Sequence, residues 1–372
     1  MNVLFISNDP SLCLPESSAR TRLKGYARTI GTLHVLTPAK ENLEVTDENL
    51  TIHGVRGSAV TTYRSRLKRG RALVQDAEIE IVSAQDPFEN GWLARAITRG
   101  TKAKLHLQLH TDFLSPWFVR TGSLSMSFKN RVRRMIADIL LPQADGIRVV
   151  SERIKTSLAT RYANRIQSVT VLPIAVSTTV PERAELPPHS FQTVLVTIGR
   201  LEAEKHIDDI LRALSKTPSS VGLFVIGEGR LRASLVRRTR ELHISDRVSF
   251  LGAQTNAWGL MQSADAYIQA SVYEGYGMTL VEAALSGVSI ITTDVGIVGE
   301  VLTPKKDVVA VSPGDIKGLT SAITGLTGPL TERETRRANA RNSVQSHLSA
   351  YQNLASLITS DLSRLLAGST RA

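Results

Sequence analysis

Two carboxylates, Glu274 and Glu282, are separated by seven residues in a segment that also holds two loop glycines, Gly275 and Gly277. Glycine lacks a Cβ atom, so this loop can turn sharply and bring the backbone close to a ligand. The first amides of the helix predicted after Gly277 have no partner within the helix and carry the positive end of its dipole. A carboxylate beside such a helix start suits an anionic ligand with hydroxyl groups, such as a sugar nucleotide.

The predicted helix begins at Met278, Thr279 and Leu280, and the amides of these three residues are the expected phosphate site. Thr279 and Glu282 also match a capping box, in which Glu282 only stabilises the helix start. That alternative stays open for Glu282. Glu274 lies between a tyrosine and the sequence Gly-Tyr-Gly, where a carboxylate has no evident structural task.

Two cations, Arg200 and Lys205, follow another predicted strand. Fixed positive charges at such a strand end would stabilise a departing diphosphate, most of all in the transition state. The alternative is a surface ion pair of these cations with Glu202 or Glu204.

Buried apolar runs alternate with helical patterns along the chain, which is typical of βαβ units and parallel sheets. In the first half, the predicted strands are Val3–Ser7, Leu33–Thr37, Ile79–Ala84, Leu105–His110, Ile147–Val150 and Thr170–Leu172. In the second half, they are Val194–Gly199, Val221–Gly227, Val248–Leu251, Ala266–Ala270, Val288–Thr293 and Val308–Val311. The predicted helices include Ala19–Ile30, Glu89–Arg99, Phe128–Leu141, Glu152–Tyr162, Met278–Leu285 and the long segment Glu332–Leu366.

The proline-containing segment 176–190 predicts a linker between two α/β domains. We expect an N-terminal Rossmann-like, acceptor-side domain over residues 1–175 and a C-terminal Rossmann-like, nucleotide-sugar domain over residues 191–345. Residues 346–372 are expected to form a C-terminal helix. In doubly wound sheets of this kind, ligands bind outside the carboxyl ends of the strands.

The segment Glu274-Gly-Tyr-Gly-Met-Thr-Leu-Val-Glu282 resembles the Glu-x7-Glu signature of the retaining glycosyltransferases of family four, the glycogen-synthase-like group. Thr197–Lys205, with Gly199 before Arg200, is similar to the family's Gly-Arg…Lys pair. The resemblance covers most of the chain and is strongest from Val194 to Gly299. It implies the GT-B fold: α/β, with two Rossmann-like, doubly wound parallel-sheet domains facing a cleft. It also implies that the C-terminal helix packs back on the N-terminal domain.

The resemblance also implies roles for individual residues. Arg200 and Lys205 would form the diphosphate clamp, Glu274 would bind the donor sugar, and Glu282 would hold the ribose. The amides at Met278–Leu280 would receive the diphosphate.

Two further positions resemble family sites but have structural alternatives. The loop at Gly227 would approach the nucleotide, or it would merely begin the next helix. His110, at the end of a strand, would reach the donor sugar through its side chain or carbonyl, or it would be structural. In the first loop, Pro15–Arg22 lacks the family's Gly-Gly, so its phosphate contact is open, and Arg20 and Arg22 are alternative contacts to phosphate or acceptor.

Charge is concentrated in the first half of this 372-residue chain, whose formal net charge is +11. Residues 1–175 hold 25 Lys and Arg against 15 Asp and Glu, which suggests an anionic partner. The clusters Tyr63–Arg71 and Phe128–Leu141 would be solvated faces or contacts to an anionic membrane surface. Nucleic acid is not expected, because aromatic residues make up only 5% and no recognition motif occurs.

The single cysteine, Cys13, fits a reducing compartment. The apolar start is too short for a signal peptide, and no run reaches the ~20 apolar residues of a membrane span. We expect a cytoplasmic protein, with peripheral attachment to the inner face of the membrane as an open question.

The sequence holds no Asp-x-Asp and no tight His/Cys cluster, so neither a metal nor another cofactor is expected. The predicted function is a retaining, metal-independent glycosyltransferase that moves a sugar from a nucleotide-diphosphate sugar to a saccharide or lipid-linked acceptor. Its expected pathway is synthesis of a cell-surface polysaccharide or glycoconjugate. The alternatives are a sugar-nucleotide epimerase of the same shape, a pyridoxal-phosphate phosphorylase, and a non-catalytic membrane or nucleic-acid binder.

Overall fold

The chain divides into two units, each built around one parallel sheet. The computed structural model describes residues 1–57, 59–167, 169–327 and 330–368. Unit 1 comprises Met1–Leu114, Ser127–Ala175 and the segment from Asn353 onward, and unit 2 comprises Ser115–Met126 and Val176–Gln352.

Unit 1 contains an eight-stranded sheet of order β3-β4-β2-β1-β5-β6-β7-β8, in which only the β3–β4 pair is antiparallel. The central strand β1 is an apolar run from Val3 to Ile6, as expected for a parallel sheet covered on both faces, whereas β6 and β7 also bury the polar side chains of His106, Gln108 and Arg148. The elements in chain order are β1 (Asn2–Ile6), α1 (Ser18–Ile30), β2 (Thr32–Ala39), β3 (Leu43–Asp47), β4 (Leu50–Arg56), α2 (Ala59–Asp76), β5 (Ile81–Ala84), α3 (Glu89–Thr98), β6 (Lys104–Leu109), α4 (Leu124–Leu140, which enters unit 1 at Ser127), β7 (Gly146–Val149), α5 (Glu152–Tyr162) and β8 (Val169–Val171).

Three elements of unit 1 were missed by the sequence analysis, namely β3, β4 and α2. The basic cluster Tyr63–Arg71 lies inside α2, and the side chain of Arg66 is buried there. Arg66 donates to the carbonyls of Ser7 and Leu36 at 2.7 and 3.2 Å. Burial lowers the pKa of the Arg66 guanidinium to about 10. At Arg66, therefore, the cluster is neither a solvated face nor a membrane contact.

Unit 2 contains a six-stranded, wholly parallel sheet of order β11-β10-β9-β12-β13-β14. Its elements are β9 (Thr193–Ile198), α6 (Ile207–Leu214), β10 (Val221–Ile226), α7 (Arg232–Glu241), β11 (Val248–Gly252), α8 (Ala257–Met261), β12 (Ala266–Gln269), α9 (Met278–Ser286), β13 (Ser289–Thr293), β14 (Val309–Val311), α10 (Ile316–Thr324) and α11 (Leu330–Ala350). Every strand predicted for this half of the chain is present, with ends within about two residues.

The strand order of unit 2 reverses between the neighbouring strands β9 and β12. Such a switch point opens a crevice outside the carboxyl ends of the two strands, because the connections leave in opposite directions. Lys205 follows β9 and Glu274 follows β12, so the fold brings both predicted residues to this crevice.

The predicted C-terminal helix Glu332–Leu366 is two helices, α11 and α12 (Leu354–Ala367). Within unit 1, α12 packs against α1. Asp361 of α12 lies 3.5 Å from His106 of β6. No helix in the described ranges combines the length and apolar character needed to cross a bilayer.

Candidate active site

The centre of the candidate site is an ion pair between Lys205 and Glu274. Lys205 Nζ pairs with Glu274 Oε1, and Ser271 Oγ donates to the same carboxylate oxygen at 2.8 Å. The side chains of Lys205 and Glu274 are 19% and 16% exposed, so the pair is largely shielded from water. Glu274 therefore has a local electrostatic partner, which the sequence analysis did not identify.

A backbone hydrogen bond holds the two loops together. Lys205 ends a short 3-10 turn, Ala203–Lys205, that follows β9. The amide of Val272, in the loop after β12, donates to the carbonyl of Glu204 in that turn at 2.9 Å. This bond fixes the separation of the loops, and with it the approach of Lys205 to Glu274.

Arg200 has a different environment from Lys205. Its side chain is 76% exposed, and its guanidinium donates to Glu204 at 2.9 Å. The structure thus contains the surface pair predicted as one alternative for Arg200. Glu202 pairs instead with Arg230 at 2.7 Å, and the hydrogen bond from Arg230 lowers the pKa of the Glu202 carboxyl.

Gly199 and Gly227 bring two loops into direct backbone contact. Both glycines have positive φ angles, +152° and +134°, which favour glycine. A Cβ atom on Gly227 would lie 1.9 Å from the carbonyl oxygen of Gly199, which no side chain can satisfy. The contact continues where the Leu201 amide donates to the carbonyl of Glu228 at 2.9 Å. Gly227 is therefore required for the packing of the two loops and is not only a helix-starting turn.

The start of α9 has two amides that find no partner within the described ranges. Gly277, with φ +95°, is the N-cap residue, and its carbonyl accepts a hydrogen bond from the Leu280 amide at 2.9 Å. The Leu280 amide, which the sequence analysis included in the phosphate site, is therefore already engaged. The Met278 and Thr279 amides make no hydrogen bond to the described part of the chain.

Glu282 does not form the predicted capping box. The cap of α9 is Gly277, and no side chain caps this helix. Thr279 Oγ1 instead lies 2.8 Å from the Tyr267 hydroxyl. The Glu282 carboxylate is half-buried and makes no hydrogen bond or ion pair with the residues that the structure describes, and burial raises its pKa to about 7. It is a polar group that a ligand could satisfy.

A side chain of α11 forms a hydrogen bond with the Gly-Tyr-Gly loop. The hydroxyl of Tyr276, which is 2% exposed, shares a 3.0 Å hydrogen bond with His347 Nε2. The Tyr276 carbonyl accepts from the Ile297 amide at 3.0 Å. The sequence analysis missed His347, because nothing in the local pattern of α11 connects it with a loop so far away in the chain.

In unit 1, His110 lies immediately after β6. Its Nε2 atom is 3.3 Å from Oε1 of Gln108. Burial, followed by the charges of Arg148 and Arg22, lowers the pKa of His110 to about 3. The imidazole is consequently neutral near pH 7.

The first loop of unit 1 has less free polar surface than its sequence suggested. Arg20 is 5% exposed and pairs with Asp47 at 3.3 Å, so it is not placed to meet a ligand. The Ser17 amide donates to the Leu14 carbonyl at 3.3 Å. Arg22 is half-buried. Among the residues described, no group of three or more His, Cys, Asp and Glu side chains is arranged to hold a metal ion.

Part of the chain matches a known protein family. Residues 181–343 match the family described as "Glycosyl transferases group 1". The chain is 24% identical over 284 residues to glycogen synthase of Mycobacterium tuberculosis, covering 74% of this chain and 61% of that protein. It is 30% identical over 167 residues to the lipopolysaccharide core biosynthesis glycosyltransferase LpsD of Rhizobium meliloti, covering 45% and 48%. The chain thus spans about half to three-fifths of the length of these relatives.

Solved structures share the fold across nearly the whole chain. Sucrose-phosphate synthase from Thermosynechococcus elongatus matches with a TM-score of 0.83 at 17% identity, covering 99% of this chain and all of that one. HepE of Anabaena in complex with UDP-glucose matches with a TM-score of 0.72 at 17% identity, covering 97% and 100%. Residues 181–343 thus resemble the group 1 glycosyltransferases in sequence, and the chain as a whole shares the two-domain GT-B fold of these solved structures.

Proposed function

We propose that this protein is a retaining, metal-independent glycosyltransferase that uses a nucleotide-diphosphate sugar as donor. The observation that carries the proposal is the shielded Lys205–Glu274 pair at the switch point of unit 2. Two amides at the start of α9 and the carboxylate of Glu282, none of which has a partner among the described residues, belong to the same strand–loop–helix segment. Cation, amides and carboxylates together match the diphosphate, sugar and ribose of such a donor.

In this proposal, each group meets a different part of the donor. The Lys205 ammonium and the amides of Met278 and Thr279 receive the diphosphate, whose negative charge grows as the bond to the sugar breaks. Arg200 joins them by leaving its exposed pair with Glu204. Glu274 accepts hydrogen bonds from sugar hydroxyls and stabilises the positive charge that develops at the anomeric carbon.

Transfer would occur on one face of the sugar. The bond from the anomeric carbon to the diphosphate oxygen breaks while the acceptor oxygen bonds to that carbon on the same face. The acceptor proton passes to the departing phosphate, so the diphosphate leaves with the proton and the anomeric configuration is retained. Glu274 is already paired with Lys205, which favours this route over double displacement through a carboxylate nucleophile.

For the donor, UDP-sugars are the first candidates, because HepE of the same fold is described in complex with UDP-glucose. For the acceptor, we propose a saccharide or lipid-linked saccharide of a cell-surface glycan. LpsD and a lipopolysaccharide 1,6-galactosyltransferase of Escherichia coli, 31% identical over 135 residues, are both named for lipopolysaccharide synthesis.

We further propose that α4 attaches the protein to an anionic membrane surface, where a lipid-linked acceptor would be found. Four large apolar side chains of this helix are exposed and spaced so that they lie along one stripe: Leu124, Phe128, Met135 and Ile139. Arg131 is exposed on the same helix and pairs with no carboxylate in the described residues. Apolar side chains beside a cation that has no carboxylate partner among the described residues fit an interface of acyl chains and anionic headgroups.

The test of the donor site is a thermal-shift panel of UDP, GDP, ADP and their common sugar conjugates, without added metal. A ligand that binds the folded state raises the unfolding midpoint by mass action. We expect one nucleotide class to raise the midpoint, and its sugar conjugate to raise it more in wild type than in Glu274→Ala. If no nucleotide raises the midpoint of the wild type, the proposed donor site is wrong.

A further inference from the structure

Unit 2 contains another pocket, at the end of its sheet opposite to the Lys205–Glu274 pair. This pocket has a volume of about 410 Å3, within the range of small-molecule sites, and is lined by residues of β13, β14, α10 and α11. Ser289 and Val309, the first residues of β13 and β14, contribute to its lining. Lys205 and Glu274 instead follow the carboxyl ends of β9 and β12. A ligand in this pocket would therefore be separate from the sugar donor.

Three arginines of α11 line this pocket. Arg333, Arg336 and Arg337 are three and four positions apart, so they share one face of the helix. Arg336 pairs with Glu332 at 3.3 Å. Arg333 has no such partner: its Nε atom is buried without a hydrogen bond, and its side chain pairs with no carboxylate among the residues that the structure describes. The Arg333 guanidinium can therefore bind an acceptor that enters the pocket.

Arg337 adds a second positive charge near Arg333. Its guanidinium donates to Ser289 Oγ and to the carbonyl of Asp265, at 2.9 and 2.8 Å. Both acceptors are neutral, so they hold the guanidinium in place without cancelling its charge. Burial, followed by the charge of Arg333, lowers the pKa of Arg337. The two guanidinium groups thus repel each other, and an anion bound beside them would offset that repulsion.

A buried carboxylate supplies the opposite kind of contact. Asp307, which is 2% exposed, also lines the pocket. Its Oδ2 atom accepts from the Thr303 amide at 2.8 Å and from Ser343 Oγ at 3.1 Å. Its Oδ1 atom is buried and finds no hydrogen-bond donor in the described ranges. Burial of a polar atom without a partner is costly, and a ligand hydroxyl that donates to Oδ1 would remove this cost.

We propose that this pocket binds a small hydroxylated anion, a phosphate monoester or a carboxylate, whose oxyanion accepts from Arg333 and Arg337 and whose hydroxyl donates to Asp307 Oδ1. The charged side chains of the lining are three arginines and two carboxylates, an excess of one positive charge that suits an anion. Apolar side chains, among them Ile290 and Leu326, would cover the carbon atoms of the ligand. Such a site does not depend on the proposed glycosyl transfer.

Calorimetry with glycerol phosphate and methyl phosphate, at constant ionic strength, tests both contacts. The two compounds share the phosphate group, but only glycerol phosphate carries hydroxyls. We expect the wild type to bind both saturably, and glycerol phosphate about tenfold more tightly, the size of one hydrogen bond to a charged group. Glycerate and acetate give the same comparison for a carboxylate. The hydroxylated anion that binds more tightly identifies the preferred charged group.

Arg333→Gln tests the oxyanion contact. It removes the guanidinium that lacks a carboxylate partner, so the affinity for the phosphate esters should fall about tenfold or more. Lys317→Gln is the matched control, because it removes an exposed cation of α10 that does not line the pocket. Its affinity should equal that of the wild type.

Asp307→Asn tests the hydroxyl contact. The Thr303 amide can only donate, so the asparagine oxygen should stay at the position of Oδ2 and its NH2 group should take the position of Oδ1. The substitution thus replaces the acceptor by a donor and removes a negative charge. Glycerol phosphate should lose its advantage over methyl phosphate, whereas methyl phosphate should bind at least as tightly as in the wild type.

Four results would overturn the proposal. The wild type binds neither hydroxylated anion at millimolar concentration, Arg333→Gln and Lys317→Gln weaken binding equally, or glycerol phosphate keeps its full advantage in Asp307→Asn. The fourth is loss of anion binding in Lys205→Ala but not in Arg333→Gln, since the anion would then occupy the donor site. If Asp307→Asn fails to fold, the other variants decide the matter. A wild type that binds these anions but transfers no sugar contradicts only the proposed function.

Discussion

Lys205 and Glu274 come from opposite sides of the strand-order reversal in unit 2 and meet as an ion pair, although 69 positions separate them in the chain. The pair concentrates opposite charges where the loops after β9 and β12 are joined by a backbone hydrogen bond. Because the Lys205 ammonium is held in place, it can stabilise the negative charge of a leaving diphosphate without a large rearrangement. Such preorganisation is the condition for strong electrostatic stabilisation.

Replacing Arg200 by alanine should cost less than replacing Lys205. Arg200 is 76% exposed, so its charge is screened by water and its side chain must be ordered on binding. We expect about a tenfold loss of kcat/KM for Arg200→Ala, measured with saturating acceptor. Arg237→Ala removes a similarly exposed cation that pairs with Glu241 at 3.6 Å, and it should leave the rate unchanged. Equal rates in both variants would mean that Arg200 is only a surface residue.

Gly227→Ala should destabilise the protein. The new methyl group would overlap the carbonyl oxygen of Gly199, and the positive φ angle would add strain, together roughly 2–4 kcal/mol. Thermal unfolding should show a midpoint lower by about 5 °C or more. Gly25→Ala is the control, because that glycine lies within α1 with no atom within 4 Å of the new Cβ. It should be neutral or slightly stabilising, and an equally stable Gly227→Ala would contradict the close loop contact.

Glu282 should make stability depend on pH. Its pKa is raised from 4.5 in the unfolded reference to about 7 in the folded chain. Between these values, the folded state binds the extra proton, so this residue makes stability fall as pH rises from about 4.5 to 7 and stay low above that. Glu282→Gln should therefore be more stable than wild type at pH 8, by roughly 1–3 kcal/mol, and the difference should vanish at pH 4.

The same substitution should weaken nucleotide binding, because the amide replaces a carboxylate that would accept from the ribose hydroxyls. Calorimetry of the nucleotide class found in the thermal-shift panel measures this loss. If Glu282→Gln is more stable than wild type at pH 8 but binds the nucleotide more weakly, the Glu282 carboxylate contributes to ligand binding at a cost to the stability of the fold. Unchanged affinity would leave its unpartnered carboxylate without the proposed role.

Phe128→Ser and Met135→Ser should reduce binding to vesicles that contain anionic lipid. Each removes an exposed apolar side chain from the stripe on α4, and the remaining electrostatic attraction should weaken further as salt is added. Leu14→Ser is a matched control, since Leu14 is 54% exposed but lies outside α4. Absence of vesicle binding by the wild type at low salt would contradict the membrane proposal.

Most of the parallel strands were predictable because they are short, largely apolar runs bounded by turn residues, as in β9 and β12, although β4, which pairs parallel with β2, was missed. The elements missed in unit 1 lack that signal. Residues of β3 alternate between half-buried and exposed positions, and the basic residues of α2 obscure the positions that face the core. Arg66 is the clearest case, since a buried arginine bonded to backbone carbonyls cannot be distinguished from a surface arginine by sequence pattern.

The candidate site was predictable only in part for a similar reason. The residues Lys205, Glu274 and Glu282 stand out by type and spacing, but their partners depend on contacts between distant segments. Three such contacts form only in the folded chain: the ion pair between Lys205 and Glu274, the hydrogen bond from the Leu280 amide to the Gly277 carbonyl, and the hydrogen bond between the Tyr276 hydroxyl and His347.

The most direct test of the Lys205–Glu274 site is donor turnover, measured as nucleotide released in the presence of EDTA by wild type, Lys205→Ala and Glu274→Ala. The donor is the nucleotide sugar that gives the largest thermal shift. We predict that EDTA leaves the wild-type rate unchanged and that each substitution lowers turnover by ~10²–10³, as for removal of one transition-state-stabilising group. Near-normal turnover by both variants would contradict the account.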